Sequence, residues 1–212
     1  MLIEQPPRWF RMMFPGAIFR MRPEKGKEKS VYLTFDDGPI PEVTPLILDI
    51  LERYDVKSTF FMVGENVKKY PFLLEDIKER GHGIGNHTYH HLKGLTVSAQ
   101  RYLEDAKECE TLTGSRLFRP PHGLMTPEQL RLIKKHYDII MYDLVTRDYS
   151  RRLSMEEVVK NVKRYSRDGS IIVFHDSLKS RSKIMDALPR SIEWLKENGY
   201  GFKVIPQNIK SL

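Results

Sequence analysis

Val31-Tyr32-Leu33-Thr34-Phe35-Asp36-Asp37-Gly38-Pro39 is an apolar, β-favouring run that stops at two adjacent carboxylates, a glycine and a proline. It reads as a strand that delivers acidic side chains to a functional turn. A second polar stretch, Asn86-His87-Thr88-Tyr89-His90-His91, sets His87 and His91 at an i,i+4 spacing, which predicts both imidazoles on one side of a single helical turn. Two neutral imidazoles and one carboxylate make a facial set suited to Zn²⁺ or another divalent transition metal, with positions left open for water and substrate. A structural zinc centre usually closes its shell with protein ligands, often thiolates, and the only cysteine here is Cys109. The expected site is therefore catalytic.

Three later segments repeat this pattern. Phe118-Arg119-Pro120-Pro121-His122-Gly123 combines a fixed cation with a stiff backbone and a glycine that permits close approach. Met141-Tyr142-Asp143-Leu144-Val145-Thr146-Arg147-Asp148-Tyr149 runs from a strand-like start into carboxylates flanked by aromatics, and Ser170-Ile171-Ile172-Val173-Phe174-His175-Asp176 is a buried-strand pattern ending in His-Asp. Hydrophobic periodicity predicts strands at 31–36, 58–63, 83–86, 117–119, 138–143, 170–175 and 202–205. Helical patterns fall between them at 43–54, 67–80, 97–112, 127–136, 155–167 and 184–197. Thr126-Pro127-Glu128-Gln129 and Ser154-Met155-Glu156-Glu157 read as capping boxes, while Gly81, Gly114 and Gly199 sit where helix stops are expected. Leu46, Ile47, Ile50 and Leu51 form the core-facing stripe of one helix, and Ile184, Leu188, Ile192 and Leu195 that of the last.

Alternating β and α units imply a parallel sheet with right-handed crossovers, so the strand C-termini share one end. Asp36 and Asp37 follow the first strand, His87 the third, Arg119 the fourth, Asp143 the fifth and His175 the sixth. A barrel makes these segments converge, whereas an open sheet spreads them along an edge. About seven strands, not eight, predict an α/β fold with a distorted or incomplete (β/α) barrel.

The order Thr34-Phe35-Asp36-Asp37-Gly38-Pro39, His87-Thr88-Tyr89-His90-His91, Arg119-Pro120-Pro121-His122-Gly123, Asp143 to Tyr149 and Val173-Phe174-His175-Asp176 resembles the polysaccharide deacetylases with a NodB homology domain, carbohydrate esterase family 4. The resemblance spans roughly residues 31 to 205 and implies the same incomplete barrel. It implies that Asp37, His87 and His91 bind a divalent metal, most simply Zn²⁺, with Co²⁺ or Ni²⁺ also accommodated. By the same analogy Asp36 takes a proton from water, Arg119 orients Asp36, and the His122 backbone N–H helps hold an oxyanion. His175 then protonates the leaving amine with Asp148 behind it, and Tyr149 and Val173 line a pocket for the acetyl methyl. Family members commonly carry tryptophan at the positions of Tyr142 and Tyr149 and tyrosine at that of His122, differences that bear on pocket shape. His90 reads as a rim residue, and His82 and His136 as structural.

The implied activity is hydrolysis of the acetamide of an N-acetylated sugar in a peptidoglycan- or chitin-like glycan. O-deacetylation on the same site, hydrolysis of a small cyclic amide and a catalytically silent glycan-binding role at the envelope are the alternatives. Length, 212 residues, fits one catalytic domain over 31–212 preceded by an arm, residues 1–30, that packs on it. The arm mixes Trp9, Phe10, Phe14, Ile18 and Phe19 with Arg8, Arg11, Arg20 and Arg22; a basic, aromatic contact with the envelope surface is its second reading. Early Glu4, Pro6 and Pro7 and the interrupting Arg11 do not fit a signal peptide, and no apolar run is long enough to span a bilayer. The expected location is cytoplasmic by default, with the cell envelope as the family-based alternative. Net charge is +7 with pI about 9.4, but the cations are dispersed and no nucleic-acid-binding signature accompanies them. Cys109, alone in a helical pattern, reads as a small buried residue.

Overall fold

The computed structural model describes residues 4–23 and 26–209. In chain order the elements are α1 (Arg8–Met12), β1 (Ser30–Asp36), α2 (Thr44–Arg53), β2 (Thr59–Met62), α3 (Gly64–Lys69), α4 (Pro71–Glu79), β3 (Gly83–Asn86), α5 (Ala99–Thr113) and β4 (Leu117–Phe118). Then come α6 (Pro127–Ile133), β5 (Asp138–Ile139), β6 (Leu144–Val145), α7 (Met155–Tyr165), β7 (Ile171–His175), α8 (Arg181–Glu197) and β8 (Gly201–Phe202). All strand pairs are parallel, in the order β5-β4-β3-β2-β1-β7-β6, and β8 adds to β1 at Ser30 and Val31.

The order of the strands explains the curl. β5 and β6 lie at opposite ends of that path, yet only residues 140–143 connect them. A link of that length reaches at most roughly 17 Å, so the sheet has to bend until its two edges approach. The remaining seam is filled by the N-terminal arm. Ile18 donates its N–H to Ile139 at 2.8 Å and accepts from Met141 at 2.8 Å, and Met21 donates to Gly169 at 2.9 Å. Phe10, Phe14 and Phe19 are buried behind this seam against Tyr102, Ile133 and Tyr137. The expected incomplete barrel is the observed one.

Continuous pairing at 138–143 is not observed, because residues 140–143 cross the seam: Asp138–Ile139 pairs with β4, and Leu144–Val145 with β7. Asp143, expected at a strand end near the chemistry, is instead a buried clasp. Its carboxylate accepts from Arg167 at 2.6 and 2.8 Å, from Arg11 at 2.7 Å and from Ser170 at 2.8 Å.

β1 is buried along its whole length, and its period-two alternation sorts two environments. Val31, Leu33 and Phe35 pack outward on Ile47, Leu51, Ile184 and Leu188 of the surrounding helices. Tyr32 lies in the opposite cluster with Phe61, Leu117 and Ile171, and Thr34 and Asp36 reach the buried Arg119. The alternation thus aims Asp36 inward.

Helix ends follow their local signals. Both capping boxes form, at Thr126 and Ser154, and Gly114 ends α5 at φ 65°. The helix expected over 67–80 is two, since Pro71 forces Tyr70 out of the helical region. α8 begins earlier than expected, at Arg181, and buries Ile184, Leu188, Ile192 and Leu195. In α2, Leu48 takes the buried place expected of Leu46, which is 39% exposed. Cys109 and His82 are buried, and His82 Nδ1 accepts the Ser58 N–H at 3.2 Å.

Candidate active site

Asp36 ends β1, and Asp37 turns the chain at φ 84°. Asp176, just past β7, holds this turn: it accepts from the Gly38 N–H and the Thr44 hydroxyl, each at 2.9 Å. A Cβ at position 38 would lie 1.8 Å from Asp176 Oδ2, so the turn needs glycine there. Burial, offset only in part by these donors, raises the Asp176 carboxyl well above the ordinary value.

The histidine segment is not the helical turn its spacing predicts. Residues 87–91 form a loop with Thr88 at φ 63° and His91 at φ 53°. These two left-handed residues fold the chain back, and the His87 and His91 rings come to 5.1 Å. The expectation that the two imidazoles share a side is met by a different backbone. Nε2 of His91 lies 3.2 Å and Nε2 of His87 3.8 Å from Asp37 Oδ1, and the ligand-type atoms of all three lie within 4.8 Å of one another.

This donor set fits a divalent transition ion. His87 Nδ1 is 2.8 Å from the Arg119 carbonyl, which fixes the proton on Nδ1 and leaves the Nε2 lone pair for a ligand. Burial, outweighing the attraction of Asp36, lowers the His87 imidazolium to about 4, so the ring is neutral near pH 7. At Asp37 burial acts upward, but the His91 hydrogen bond and the charges of His175, His87 and His91 outweigh it and keep the carboxyl below its ordinary range.

Arg119 is fully buried in the barrel. It donates to Asp36 Oδ1 at 2.6 Å, to Thr34 Oγ1 at 2.8 Å, and to the seam carbonyls of Ile140 and Met141 at 3.2 and 3.1 Å. Its guanidinium carbon stacks 4.0 Å from the Phe61 ring centroid. Among the described residues no donor is bonded to Asp36 Oδ2. Across the cavity, Asp148 accepts the His175 backbone N–H and sits against its Nδ1, both at 2.8 Å. Burial disfavours the imidazolium, but Asp148, with Asp37 and Asp36 further off, outweighs it and raises His175 from 6.5 to about 9.

Asp36, Asp37, His87, His91, Arg119, His122, Tyr142, Tyr149, Val173 and His175 line one cavity of about 230 Å³. Tyr149 sits edge-on to His175 at 4.7 Å. In the Arg119 turn the N–H groups of Gly123 and Leu124 go to the Pro120 and Pro121 carbonyls, whereas the N–H of His122, at φ 60°, has no such partner among the described residues. The structure thus brings together every residue to which the family resemblance gives a role, with Asp148 reaching the cavity through His175, while Asp143 lies apart from it.

Two carboxylates that support the site have no role in the sequence pattern. Asp176 is there only the end of the last motif. Asp105 is fully buried on α5 and accepts the Tyr89 and His90 N–H groups at 2.8 and 3.0 Å. Its signal was there: it lies at i+3 from Tyr102 and i−4 from Cys109, on the buried face of the helix.

Residues 24–138 match the polysaccharide deacetylase family. The chain belongs to this family. A peptidoglycan-N-acetylglucosamine deacetylase of Bacillus cereus is 31% identical, with 86% of this chain and 89% of that protein aligned. The crystal structure of the Bc1960 peptidoglycan N-acetylglucosamine deacetylase superposes with a TM-score of 0.81 at 32% identity, covering 95% of each chain. A Bacillus anthracis protein described as a CE4 family pseudoenzyme also superposes, with a TM-score of 0.77 at 31% identity over 90% of this chain and 68% of that one.

Proposed function

We propose that the chain is a metal-dependent deacetylase that hydrolyses the acetamide of an N-acetylated sugar in a peptidoglycan- or chitin-like glycan, releasing acetate and a free amine. One observation carries this reading: a ligand-type trio, a carboxylate held by a buried arginine, and a histidine held by a buried aspartate all meet in one cavity. Asp37, His87 and His91 would hold the metal, with Zn²⁺ the best fit to two imidazoles and a carboxylate and Co²⁺ or Ni²⁺ accommodated. Bound there, it supplies acidity to water and polarises a carbonyl.

The remaining work falls to side chains. Arg119 occupies Asp36 Oδ1 and keeps the carboxylate oriented, so Oδ2 accepts the proton that water loses as it adds to the acetamide carbon. The His122 N–H donates to the oxygen that gains charge. His175, held as imidazolium by Asp148, gives its proton to the sugar nitrogen as the C–N bond breaks. Tyr149 and Val173 shape the wall that receives the acetyl methyl. An acetyl ester meets the same groups, so O-deacetylation is the neighbouring activity.

The testing experiment is acetate release from N-acetylglucosamine oligomers, peptidoglycan and O-acetylated glycans by chelator-stripped protein, with and without Zn²⁺. Acetate restored by metal from an N-acetylated glycan is expected. Chelator-insensitive glycan binding without acetate would replace this reading by the silent role, which the match to a pseudoenzyme makes the second one.

No described helix is long and apolar enough to cross a membrane. A peripheral envelope contact through α1 is supported by exposed Trp9, Met12 and Met13 at i, i+3 and i+4, of which Met13 shares a surface pocket with Lys134 and Lys135. Salt-sensitive sedimentation with anionic but not neutral vesicles is the expected result, and its absence would remove the contact.

A further inference from the structure

A second cluster of ligand-type side chains, His90, Asp105 and Glu108, lies outside the catalytic cavity. Its geometry is that of a clasp and not of a metal centre. Asp105 Oδ1 accepts the N–H groups of Tyr89 and His90 at 2.8 and 3.0 Å. Oδ2 meets His90 Nδ1 at 2.6 Å and Arg101 Nη2 at 3.4 Å, and Glu108 is exposed, its carboxylate within 4.8 Å of the other two groups. The oxygens of Asp105 are already engaged with nitrogen groups.

We propose that Asp105 is a positioning residue: by fixing the apex of the 87–91 loop it sets how the Nε2 atoms of His87 and His91 face Asp37, and so sets the affinity for metal. The proposal rests on the reading above, in which these three residues bind the ion. Thr88 and His91 adopt left-handed backbone, a conformation that side chains with a Cβ disfavour and that persists only where the surroundings over-determine it. The start of the segment is anchored by Asn86, which donates to the Ala106 carbonyl at 2.7 Å and accepts the Thr88 N–H at 2.9 Å. Its end is anchored by the Leu92 N–H on Thr88 Oγ1 at 3.1 Å. Two carbonyls of the loop, those of Thr88 and Tyr89, accept from Gly64 and Glu65 of α3 at 3.0 and 2.9 Å.

Between these anchors, two successive N–H groups converge on Asp105 Oδ1, and the Tyr89 N–H also reaches the Asp105 carbonyl at 3.2 Å. The loop is therefore gripped from α3 through its carbonyls and from α5 through its amides. Oδ2 has a second effect. It holds the His90 ring beside α5, so that of three histidines within five positions only His87 and His91 face Asp37.

The test is metal affinity, measured by competition with a chromogenic chelator on wild type, Asp105→Asn and His90→Ala. Wild type should bind one Zn²⁺ per chain. Asp105→Asn should weaken binding about 10- to 100-fold, the range found when a group that orients metal ligands from outside their first contacts is altered. Its turnover should return at saturating Zn²⁺ with KM unchanged, which a general loss of folded structure would not allow. His90→Ala, which keeps the apex bonds to Oδ1, should stay within a few-fold of wild type and guards against a folding failure in the first variant. Wild-type affinity in Asp105→Asn, turnover not restored by metal, or a second Zn²⁺ per chain that the variants lose would each overturn the proposal. Wild type that binds no metal would instead overturn the reading on which it rests.

Discussion

The two halves of the cavity hold the same kind of pair and use it in opposite senses. On one side Arg119 lies 2.6 Å from Asp36, and on the other Asp148 lies 2.8 Å from His175. In the first pair the cation is the fixed partner and a carboxylate is presented; in the second the carboxylate is fixed and an imidazolium is presented. The settings differ as well. Asp36 ends β1, in the interior of the sheet, and Arg119 follows β4, one strand in from its edge, packed on Phe61 and bonded to the seam carbonyls. Asp148 comes from the loop after β6, at the sheet edge, and that loop is braced by the N-terminal arm through Glu4 and Arg147 at 2.5 Å. In the proposed mechanism one buried ion pair makes a base and the other an acid; Asp36 and His175 both end strands, whereas Asp148 sits on a buttressed loop.

The largest effects should come from the base half. Asp36→Asn keeps the size of the side chain and its contact with Arg119 but removes the proton acceptor. Acetate release should fall by about 10²- to 10⁴-fold while the protein still binds metal, as measured by turnover and metal content on one sample. Full activity in this variant would remove Asp36 as the base and break the comparison. Arg119→Ala leaves the Asp36 carboxylate buried without its partner and empties space beside Phe61. A loss of about 3–5 kcal/mol in urea unfolding is expected, of the size seen when one member of a buried pair is removed.

The acid half should answer in pH more than in stability. His175 is raised from 6.5 to about 9, so what its pairing with Asp148 contributes to stability is complete below about 6.5 and is lost as pH rises through about 9. The same titration removes the acid, so kcat/KM should fall on the alkaline side, at or below about 9, because a bound cation also disfavours the imidazolium. In Asp148→Asn the raising charge is gone while burial remains, and the alkaline limb should move to lower pH. A limb that does not move would separate Asp148 from the acid function and leave the two halves unlike.

The contrast between halves also explains what the sequence made legible. The base half was readable because its residues sit on strands with strong patterns: the alternation of β1 aims Asp36 inward, and Arg119 follows a strand as expected. The incomplete barrel followed from the same β/α alternation. Less was legible where contacts across the fold decide. The predicted strand 138–143 is apolar enough to look continuous, but it crosses a seam where pairing passes from β4 on one edge to β7 on the other. The helical spacing of His87 and His91 was a coincidence of count, since two left-handed residues and the Asp105 clasp make the juxtaposition. The helical spacing places Asp105 on the buried face of α5, but no local pattern says which loop that carboxylate anchors.

The smallest expected effect tests whether the arm braces the acid half. Glu4 is linked to that loop by its carbonyl, which accepts the Val145 N–H at 2.8 Å, and by its carboxylate, which pairs with Arg147. Burial of Glu4 acts to raise its carboxyl, but the Arg147 hydrogen bond outweighs it and the group lies below its ordinary value. Glu4→Gln keeps the backbone bond and weakens only the charged one. A stability change within about 1 kcal/mol is expected, since the pair is partly exposed. If the brace matters, the substitution should lower kcat modestly without altering metal affinity, because Arg147 stands next to Asp148 in the chain while the metal-type trio lies on other loops. Equal changes in kcat and in metal affinity would mean that the loop and the ligand set move together, and the division of the cavity into two independently supported halves would fail.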